Sequence, residues 1–500
     1  MRSCRFRTRW LLPVFLLGVL AAPLTALAHV GSKDVFEQVS AGPYKLFVTV
    51  RTPTVIPGVA RIEVRSSGAA VNGIRITPVP MTGEAANHPP AADVMARSTH
   101  DPAFFTGNVW MMAVGSWEVR FAVSGAGGRY VTAVPVPAMA LSTMTMHRSL
   151  GITLGMLGLF LMIGMAGIVA AAVRDARLEP GTSASPSLRR RALFVSVASL
   201  AVMGVLVWGG AKWWDVDAAD YSADVYRPLR MNPMLDGNRL ELKVTSYIPK
   251  SKHREVRSRS NDDFLPDHGH LMHLYVIRWP EMDAVFHLHP VLAGKGDFRV
   301  ALPAMPEGDY RLYGDVVHKN GFPETLVAGI KVPAEMAGAP LDGEDAEGRP
   351  QPLDRGMLGN SYTLPDGYVM VWDRPASVTA NTAYAFRFRL MDAKGRPATD
   401  MQPYLGMAGH AAFVKTDGTV FAHTHPEGSA AMPAMMLADA GKSGGAMNMP
   451  GEMDMPMHSE PMSNTVEFPY GFPSAGRYRI FVQMKHGVTV ETGTFDVAVE

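Results

Sequence analysis

Two short stretches decide how this chain is interpreted: "AVFHLHP" at Ala284–Pro290 and its near-copy "VFAHTHP" at Val420–Pro426. Two histidines at positions i and i+2 of a strand point to the same face, so each stretch places two imidazoles side by side. A longer match follows them, because "GDYRLYGDVVH" at Gly308–His318 aligns without gaps on "GRYRIFVQMKH" at Gly476–His486. The sequence therefore predicts a duplicated domain that carries paired histidines.

Four histidines recur at equivalent positions of the two copies. They are His273 with His410, His287 with His423, His289 with His425, and His318 with His486. A hairpin brings the first histidine of each copy opposite the His-x-His pair, and a third strand ends at the fourth. We predict two metal sites of four imidazoles each. The alternative is a hydrogen-bonded network of imidazoles that fixes the rim of a sandwich and holds no metal.

Most of the remaining chain has the pattern of short strands separated by Gly and Pro turns, over residues 29–140, 226–335 and 360–500. This pattern predicts a mainly β fold of three antiparallel sandwiches, immunoglobulin-like or cupredoxin-like. We place the sandwiches at 29–148, 212–335 and 360–500. A polar segment at 336–359 is the predicted linker between the two histidine repeats.

The N-terminus has the features of a secretory signal peptide over residues 1–28. A basic start is followed by an apolar stretch that ends at Ala26-Leu27-Ala28. The segment includes Cys4, the only cysteine of the chain. The mature protein would therefore have no disulfide, and a copper site in it would lack the thiolate of a blue-copper centre.

Two later segments, 149–173 and 192–211, are apolar, uncharged and long enough to span a bilayer. The loop between them, 174–191, carries five arginines and two acidic residues. The positive-inside rule makes this loop cytoplasmic. We therefore expect an inner (plasma) membrane protein with its sandwiches on the periplasmic side.

Soft metal ligands are concentrated in an insert at 431–462, which contains nine methionines. Thioethers select Cu(I), whereas imidazoles suit Cu(II), zinc or nickel. Methionines spaced by Pro, Gly and Asp are not expected to form a continuous apolar helix face, and a low-complexity loop is the alternative. The candidate ligands in this insert are Met447, Met449, Met453, Met455, Met457 and His458.

Four further positions are candidate metal ligands of lower rank. "DHGH" at Asp267–His270 adds His268 and His270 beside His273, and Met407 matches His270 in the second copy. Cleavage after Ala28 would also make His29 the first residue. Its α-amino nitrogen and imidazole would then chelate copper if another histidine joined them.

The stretch "HVGSKDVFEQVSAGPYKLFVTVRTPTVIPGVARIEVR", with "NVWMMAVGSWEVRFAV" and the paired apolar helices, resembles bacterial membrane proteins with a YtkA-like or FixH-like N-terminal domain. "PDHGHLMHLYVIR" and "GFPSAGRYRIFVQMKHG" are similar to the periplasmic modules that accompany such domains. The resemblance implies immunoglobulin-like sandwiches in the periplasm and a link to copper delivery or oxidase maturation. It implies no catalytic residues.

These features favour a membrane-anchored copper-handling protein that uses Cu(I) or Cu(II), with zinc as the other metal considered. Its partners would be the inner membrane and a periplasmic cuproenzyme or copper transporter. The net charge of +1 gives no reason to expect nucleic acid. Two alternatives stay open: a scaffold that binds a partner protein without metal, and a copper or zinc enzyme that uses His29 or an open histidine site. The chain has no Ser/His/Asp order or acid pair, so a binding protein is favoured over an enzyme.

Overall fold

The structure is a computed structural model that describes residues 33–176, 178–179, 181–246, 260–443 and 462–500. Its N-terminal sandwich consists of the sheets β1-β2-β3-β7-β6 and β5-β4-β8-β9. Apolar and charged side chains alternate along its strands: in β3 the side chains of Ala60, Ile62 and Val64 are buried in the core, whereas Arg61 and Arg65 face outward. The strands are β1 Val35–Ala41, β2 Tyr44–Arg51, β3 Gly58–Gly68, β4 Val71–Pro80, β5 Asp93–Val94, β6 Ala96–Arg97, β7 Phe104–Met111, β8 Gly115–Gly125 and β9 Gly128–Ala138.

Two long helices follow, α1 at Arg148–Asp175 and α2 at Pro186–Ala223, and both are long and apolar enough to cross a membrane. They contact each other, since the Ser196 hydroxyl donates to the Ala166 carbonyl at 3.3 Å. Helix α2 begins at Pro186, next to a Ser185 cap. It extends well beyond the predicted 192–211, because no proline or turn sequence stops it before Ala223.

The first repeat comprises residues 230–348 and consists of the sheets β10-β11-β16-β15 and β12-β17-β13-β14-β19, with β18 paired to β17. Strand β19 lies inside the segment predicted as a linker. That segment is therefore partly a sheet edge, held against β14. The strands are β10 Arg230–Asp236, β11 Arg239–Thr245, β12 Phe264–Leu265, β13 His273–Arg278, β14 Val285–Leu288, β15 Val291–Gly294, β16 Asp297–Ala301, β17 Gly308–His318, β18 Pro323–Val332 and β19 Ala346–Gly348.

The second repeat comprises residues 361–499 and has the sheets β20-β21-β22-β26 and β23-β27-β24-β25, with β28 paired to β27. Its order β23-β27-β24-β25 matches β12-β17-β13-β14 of the first repeat strand for strand. The strands are β20 Ser361–Thr363, β21 Val369–Trp372, β22 Tyr384–Met391, β23 Met401–Gln402, β24 His410–Lys415, β25 Phe421–Thr424, β26 Thr465–Tyr470, β27 Gly476–His486 and β28 Thr489–Val499. Three antiparallel sandwiches and a helical hairpin confirm the predicted fold class.

The two repeats pack against each other through the matching sheets. Tyr313 of the first repeat stacks on Phe421 of the second, with ring centroids 4.3 Å apart. Around this stack lies an apolar layer of fully buried side chains: Tyr275, Ile277, Val285, Ala412, Val414 and Phe481. The buried Arg479 pairs with Asp496 and also donates to the Met282 carbonyl of the first repeat at 2.9 Å. This inter-repeat interface fixes which sheet faces meet.

The methionine-rich insert starts with a helix, α3 at Met432–Ser443. The expectation that the insert would not form an apolar helix face is therefore wrong for its first third, because Ala434 and Ala438 are buried and Met435 packs on the core of the N-terminal sandwich. The loop before α3 is bound to strand β1, where the Gln38 amide donates to the Glu427 carbonyl at 2.6 Å. The N-terminal sandwich thus contacts the second repeat beside its histidines.

Candidate metal centre

A tight turn in each repeat positions the first group of functional side chains. Asp267 and His270 exchange backbone hydrogen bonds of 2.8 and 2.9 Å, and the two residues between them have positive φ angles of 48° and 87°. Positive φ at both central residues is the geometry of a type I′ turn, which favours Gly269 at the second position. The second repeat has the same turn at Tyr404–Met407, with Leu405 in place of His268.

The strand pairing of the first repeat gathers three histidines, which we call the first trio: His273, His287 and His289. In the β13–β14 register Tyr275 lies opposite His287, so His273 and His289 lie beside them on the same face. The His273 Nδ1 and His287 Nε2 atoms are 3.1 Å apart. One ring nitrogen from each of the three histidines lies within 4.8 Å of the others.

The second repeat repeats this arrangement in a second trio: His410, His423 and His425. Its His410 Nδ1 and His423 Nε2 atoms are 3.0 Å apart, and its ligand atoms also lie within 4.8 Å of one another. Two nitrogens that bind one tetrahedral metal at about 2.0–2.1 Å stand about 3.3 Å apart. The nitrogen spacing in both trios is thus close to what a shared ion requires.

The two trios face each other across the inter-repeat interface. The ring of His423 lies 5.3 Å from the ring of His273 and 5.4 Å from that of His287, and the rings of His287 and His410 are 5.9 Å apart. The sequence predicts one separate site in each repeat. The structure instead brings six imidazoles together in one buried centre.

Each trio is supported by a side chain of the other repeat. Gln483 Oε1 of the second repeat lies 2.9 Å from His287 Nδ1, and Asp315 Oδ2 of the first repeat lies 3.4 Å from His423 Nδ1. Asp315 and Gln483 occupy equivalent positions, because they pair with His273 and His410 respectively in the sheet registers. The relation is reciprocal, as expected for two copies related by an approximate two-fold axis.

The turn histidines extend the centre unequally. His270 stacks on His289 with centroids 4.1 Å apart, and its Nε2 lies 2.8 Å from Glu344. His268 reaches into the other repeat, where its ring lies 4.9 Å from that of His425 and 5.4 Å from that of His410. The second trio is thus joined by a histidine from the first repeat, whereas Met407 occupies the turn position of His270 and is partly buried.

His318 and His486 do not join the trios, which corrects the expectation of four imidazoles per site. Each lies three residues beyond Asp315 or Gln483, and an odd offset along a strand turns the side chain to the opposite sheet face. His318 is held between Asp263 and Glu324 at 2.8 and 2.9 Å. His486 lies near Asp366, Asp400 and Glu491, in a separate group of possible ligands.

Burial lowers the pKa of most histidines in the centre. It lowers the pKa of His268 to about 4, and it lowers the pKa of four histidines of the trios well below the ordinary value of 6.5. These four are His273, His287, His410 and His425. Neighbouring histidines lower the values further, because a second positive charge so close would be repelled. These five imidazoles are therefore neutral at pH 7, which is the form that binds metals.

Several ring nitrogens have no hydrogen-bond partner among the described residues although they are fully buried. They are His268 Nε2, His289 Nε2, His410 Nε2, and both Nδ1 and Nε2 of His425. A buried polar atom without a partner costs about 1–3 kcal/mol, and native proteins contain few. So many unpartnered nitrogens in one place indicate a centre built for a ligand.

A cavity of about 110 Å³ lies between the N-terminal sandwich and the two repeats, and it reaches the second trio at His423 and His425. Its lining includes two thioethers, Met81 and Met139, and of the residues the structure describes there none is lysine or arginine. Four carboxyl side chains also line it: Asp34, Asp267, Asp315 and Glu324. Burial raises the pKa of Asp267 to about 7. This composition suits a cation.

The residues that support the histidines of the centre were not predicted from the sequence. Asp345 lies 3.0 Å from His289 Nδ1, and the Tyr404 hydroxyl lies 3.1 Å from His287 Nδ1. Asp315 and Gln483 stand at matched positions of the aligned "GDYRLYGDVVH" and "GRYRIFVQMKH", so their alignment was a usable signal. The remaining predicted ligands lie outside the described residues: His29, Met447, Met449, Met453, Met455, Met457 and His458.

A family model described as Domain of unknown function (DUF8832) matches residues 362–500, which correspond to the second repeat. No curated protein matches the chain.

Three solved structures illustrate the structural likeness. A tetra-tandem repeat in the extending region of a large adhesion protein is 7% identical, over 90% of this chain and 72% of that one, with a TM-score of 0.16. A 1.5-MDa bacterial ice-binding adhesin is 8% identical, over 92% and 99%, with a TM-score of 0.15. The alpha-2-macroglobulin of E. coli is 8% identical, over 93% and 23%, with a TM-score of 0.21. At such scores the functions of those proteins do not transfer to this chain.

Proposed function

We propose that this chain is a membrane-anchored, periplasmic metal-binding protein that handles copper, either to sequester it or to deliver it to a cuproenzyme. The observation that carries the proposal is the pair of buried histidine trios. Their ring nitrogens are close enough to share ions, burial lowers the pKa of four of the six imidazoles well below 6.5, and several nitrogens have no partner among the described residues. A network of imidazoles that only stabilised the fold would instead be expected to satisfy its own hydrogen bonds.

Copper is favoured over other metals by the donor set. Imidazole binds copper, zinc and nickel, and among divalent ions Cu(II) forms the strongest complexes at a given nitrogen site. The methionines at 447–457, and Met81 and Met139 in the cavity lining, add thioethers that select Cu(I). Zinc remains the competitor against which copper has to be measured.

The location follows from the chain order. The predicted signal peptide and the arginine-rich loop at 174–191 support a topology with that loop in the cytoplasm and the three sandwiches on the periplasmic side of the inner membrane. The helices α1 and α2 are the anchor. A cuproenzyme or copper transporter in the same membrane would be the partner in a delivery role.

The test is metal binding by the full chain, purified in detergent. The protein is dialysed against Cu(I), Cu(II) and zinc in competition, and bound metal is measured by mass spectrometry. Two variants are compared: one with His287, His289, His423 and His425 changed to Ala, and a control with the exposed His88 and His100 changed to Ala.

Copper bound by the wild type and the control, and lost in the four-histidine variant with its sandwiches still folded, would support the proposal. Equal copper in all three proteins would exclude the trios as the site. A folded wild type that binds no metal would end the copper proposal and favour a partner-binding scaffold.

A further inference from the structure

The position of the trios relative to each other points to more than two independent sites. We propose that the two trios form one dinuclear centre, in which two copper ions lie close enough to interact and in which the first repeat supplies a ligand to the ion of the second. This inference rests on the proposed copper function. Beyond that function, it specifies that the centre holds two ions, that the two ions interact, and that one ligand of the second ion comes from the first repeat.

The distances between the trios support the pairing. Rings of different trios are 5.3 to 6.2 Å apart, a range that begins where the range of 4.6 to 5.3 Å between rings within a trio ends. Two ions that share a site in other proteins stand about 3.5–4 Å apart. Since the rings of His273 and His423 are only 5.3 Å apart, ions held by the two trios would be neighbours.

The reciprocal contacts link the two halves physically. Gln483 holds His287 and Asp315 approaches His423, each from the opposite repeat. Outer partners of this kind orient metal ligands and strengthen them. Binding of one ion therefore orders side chains that belong to the other half.

His268 is the ligand that crosses between the repeats. Its backbone has a φ of 48°, a conformation that costs energy for a residue other than glycine. The side chain is nonetheless buried beside His410 and His425, and its Nε2 has no hydrogen-bond partner in the described part of the chain. Asp267, His268 and His425 also bring ligand atoms within 4.8 Å of one another. We assign His268 as a ligand of the second ion.

The experiment uses the full chain in detergent, loaded with Cu(II), with copper counted by mass spectrometry and spins counted by electron paramagnetic resonance. The expected result is two ions per chain and an integrated signal far below two spins. The Cu(I) form is expected to show copper–copper scattering in X-ray absorption. A His425→Gln variant is expected to bind one ion and show one full spin.

The variant for the ligand is His268→Leu, which copies Leu405 of the other turn. We expect His268→Leu to weaken the second ion by about 10-fold or more while the first remains. The control changes the exposed His88 and His100 to Ala, and we expect it to leave both ions unchanged.

The outcomes separate this inference from the proposed function. Two ions with two full, uncoupled spins and no copper–copper scattering would overturn the dinuclear centre and leave the copper function intact. One ion per wild-type chain would do the same. Unchanged second-ion affinity in His268→Leu would overturn the ligand assignment. Absence of copper would refute the proposed function itself.

Discussion

A substitution of His425 by Leu tests whether the centre is built for a ligand at the expense of stability. Both ring nitrogens of His425 are buried and make no hydrogen bond of normal geometry with the described residues, although the Ala430 backbone interacts with the ring. At about 1–3 kcal/mol for each unmade bond, this side chain destabilises the metal-free protein by about 2–6 kcal/mol. Leucine removes both polar atoms, and reshaping the packing costs about 1–3 kcal/mol. We therefore expect metal-free His425→Leu to be more stable than wild type, by about 1–3 kcal/mol.

Bound copper should reverse the order of stability of wild type and His425→Leu. A ligand at about 100 times its dissociation constant stabilises the folded state by about 2.7 kcal/mol. Wild type gains this for each ion, whereas His425→Leu loses the contribution of the second trio. The variant is thus expected to be the more stable protein without copper and to gain less from it.

The matched control is His273→Leu. Both ring nitrogens of His273 have partners, His287 Nε2 at 3.1 Å and the Asp267 carbonyl at 3.0 Å. Removing the ring leaves His287 Nε2 buried without this partner, at a cost of about 1–3 kcal/mol, whereas the Asp267 carbonyl keeps its hydrogen bond from the His270 amide. The two substitutions change the same residue type to the same residue, yet we expect opposite signs.

The assay is differential scanning calorimetry of the full chain in detergent, with and without copper. One kcal/mol corresponds to about 2–4 °C in the midpoint of a domain of about 150–250 residues. If His425→Leu lowered the metal-free midpoint as much as His273→Leu does, the nitrogens of His425 would have partners in solution, and the reasoning from unpartnered atoms would fail.

Three further predictions follow from the same site. Burial lowers the folded-state pKa of four histidines, so the unfolded chain takes up protons first as the pH falls below about 6.5. The stability of the metal-free protein should therefore be complete above that pH and decrease below it, by up to about 1.4 kcal/mol per histidine per pH unit. Thermal melts from pH 7.5 to 5 measure this decrease. The four are His273, His287, His410 and His425. Asp345→Asn, which weakens the carboxylate beside His289, should reduce copper affinity about 10–100-fold by competition titration, while the exposed-strand control Asp297→Asn should not. Tyr313→Ala should destabilise the inter-repeat interface by about 3–5 kcal/mol and reduce binding of both ions together; loss of one ion alone would contradict a shared centre.

Strand periodicity made much of the site predictable. The His-x-His pattern requires a strand to place two imidazoles on one face, and the aligned repeats identified six of the clustered histidines before any coordinates. The same alternation of side chains along a strand would have excluded His318 and His486 from the predicted metal ligands. Counting from Asp315 to His318 gives an odd offset, so the two side chains cannot share a sheet face.

The association of the repeats was harder to predict, although one signal was present. A sheet with one face in water should alternate apolar and polar residues, but "LYVI" at 274–277 in β13 and "AAFV" at 411–414 in β24 are continuously apolar. In β13 every residue is buried except the last one, Arg278, which is partly buried. Continuous runs indicate that both faces are covered, here by the other repeat. Sequence alone does not specify which surface provides the cover.

The duplication explains why the centre lies between domains. A single repeat presents three imidazoles at one end of an apolar sheet face, where they would be open to water and the face would be unstable. When two such faces pack, the same contact buries the apolar residues and encloses both trios. Asp315 and Gln483 then reach from one repeat to the histidines of the other. Each half is completed by residues of its copy. The second repeat alone would keep its three histidines but would lose Asp315, His268 and the apolar layer that covers its sheet, although it spans the DUF8832 match. The proposed unit of metal binding is therefore the pair of repeats.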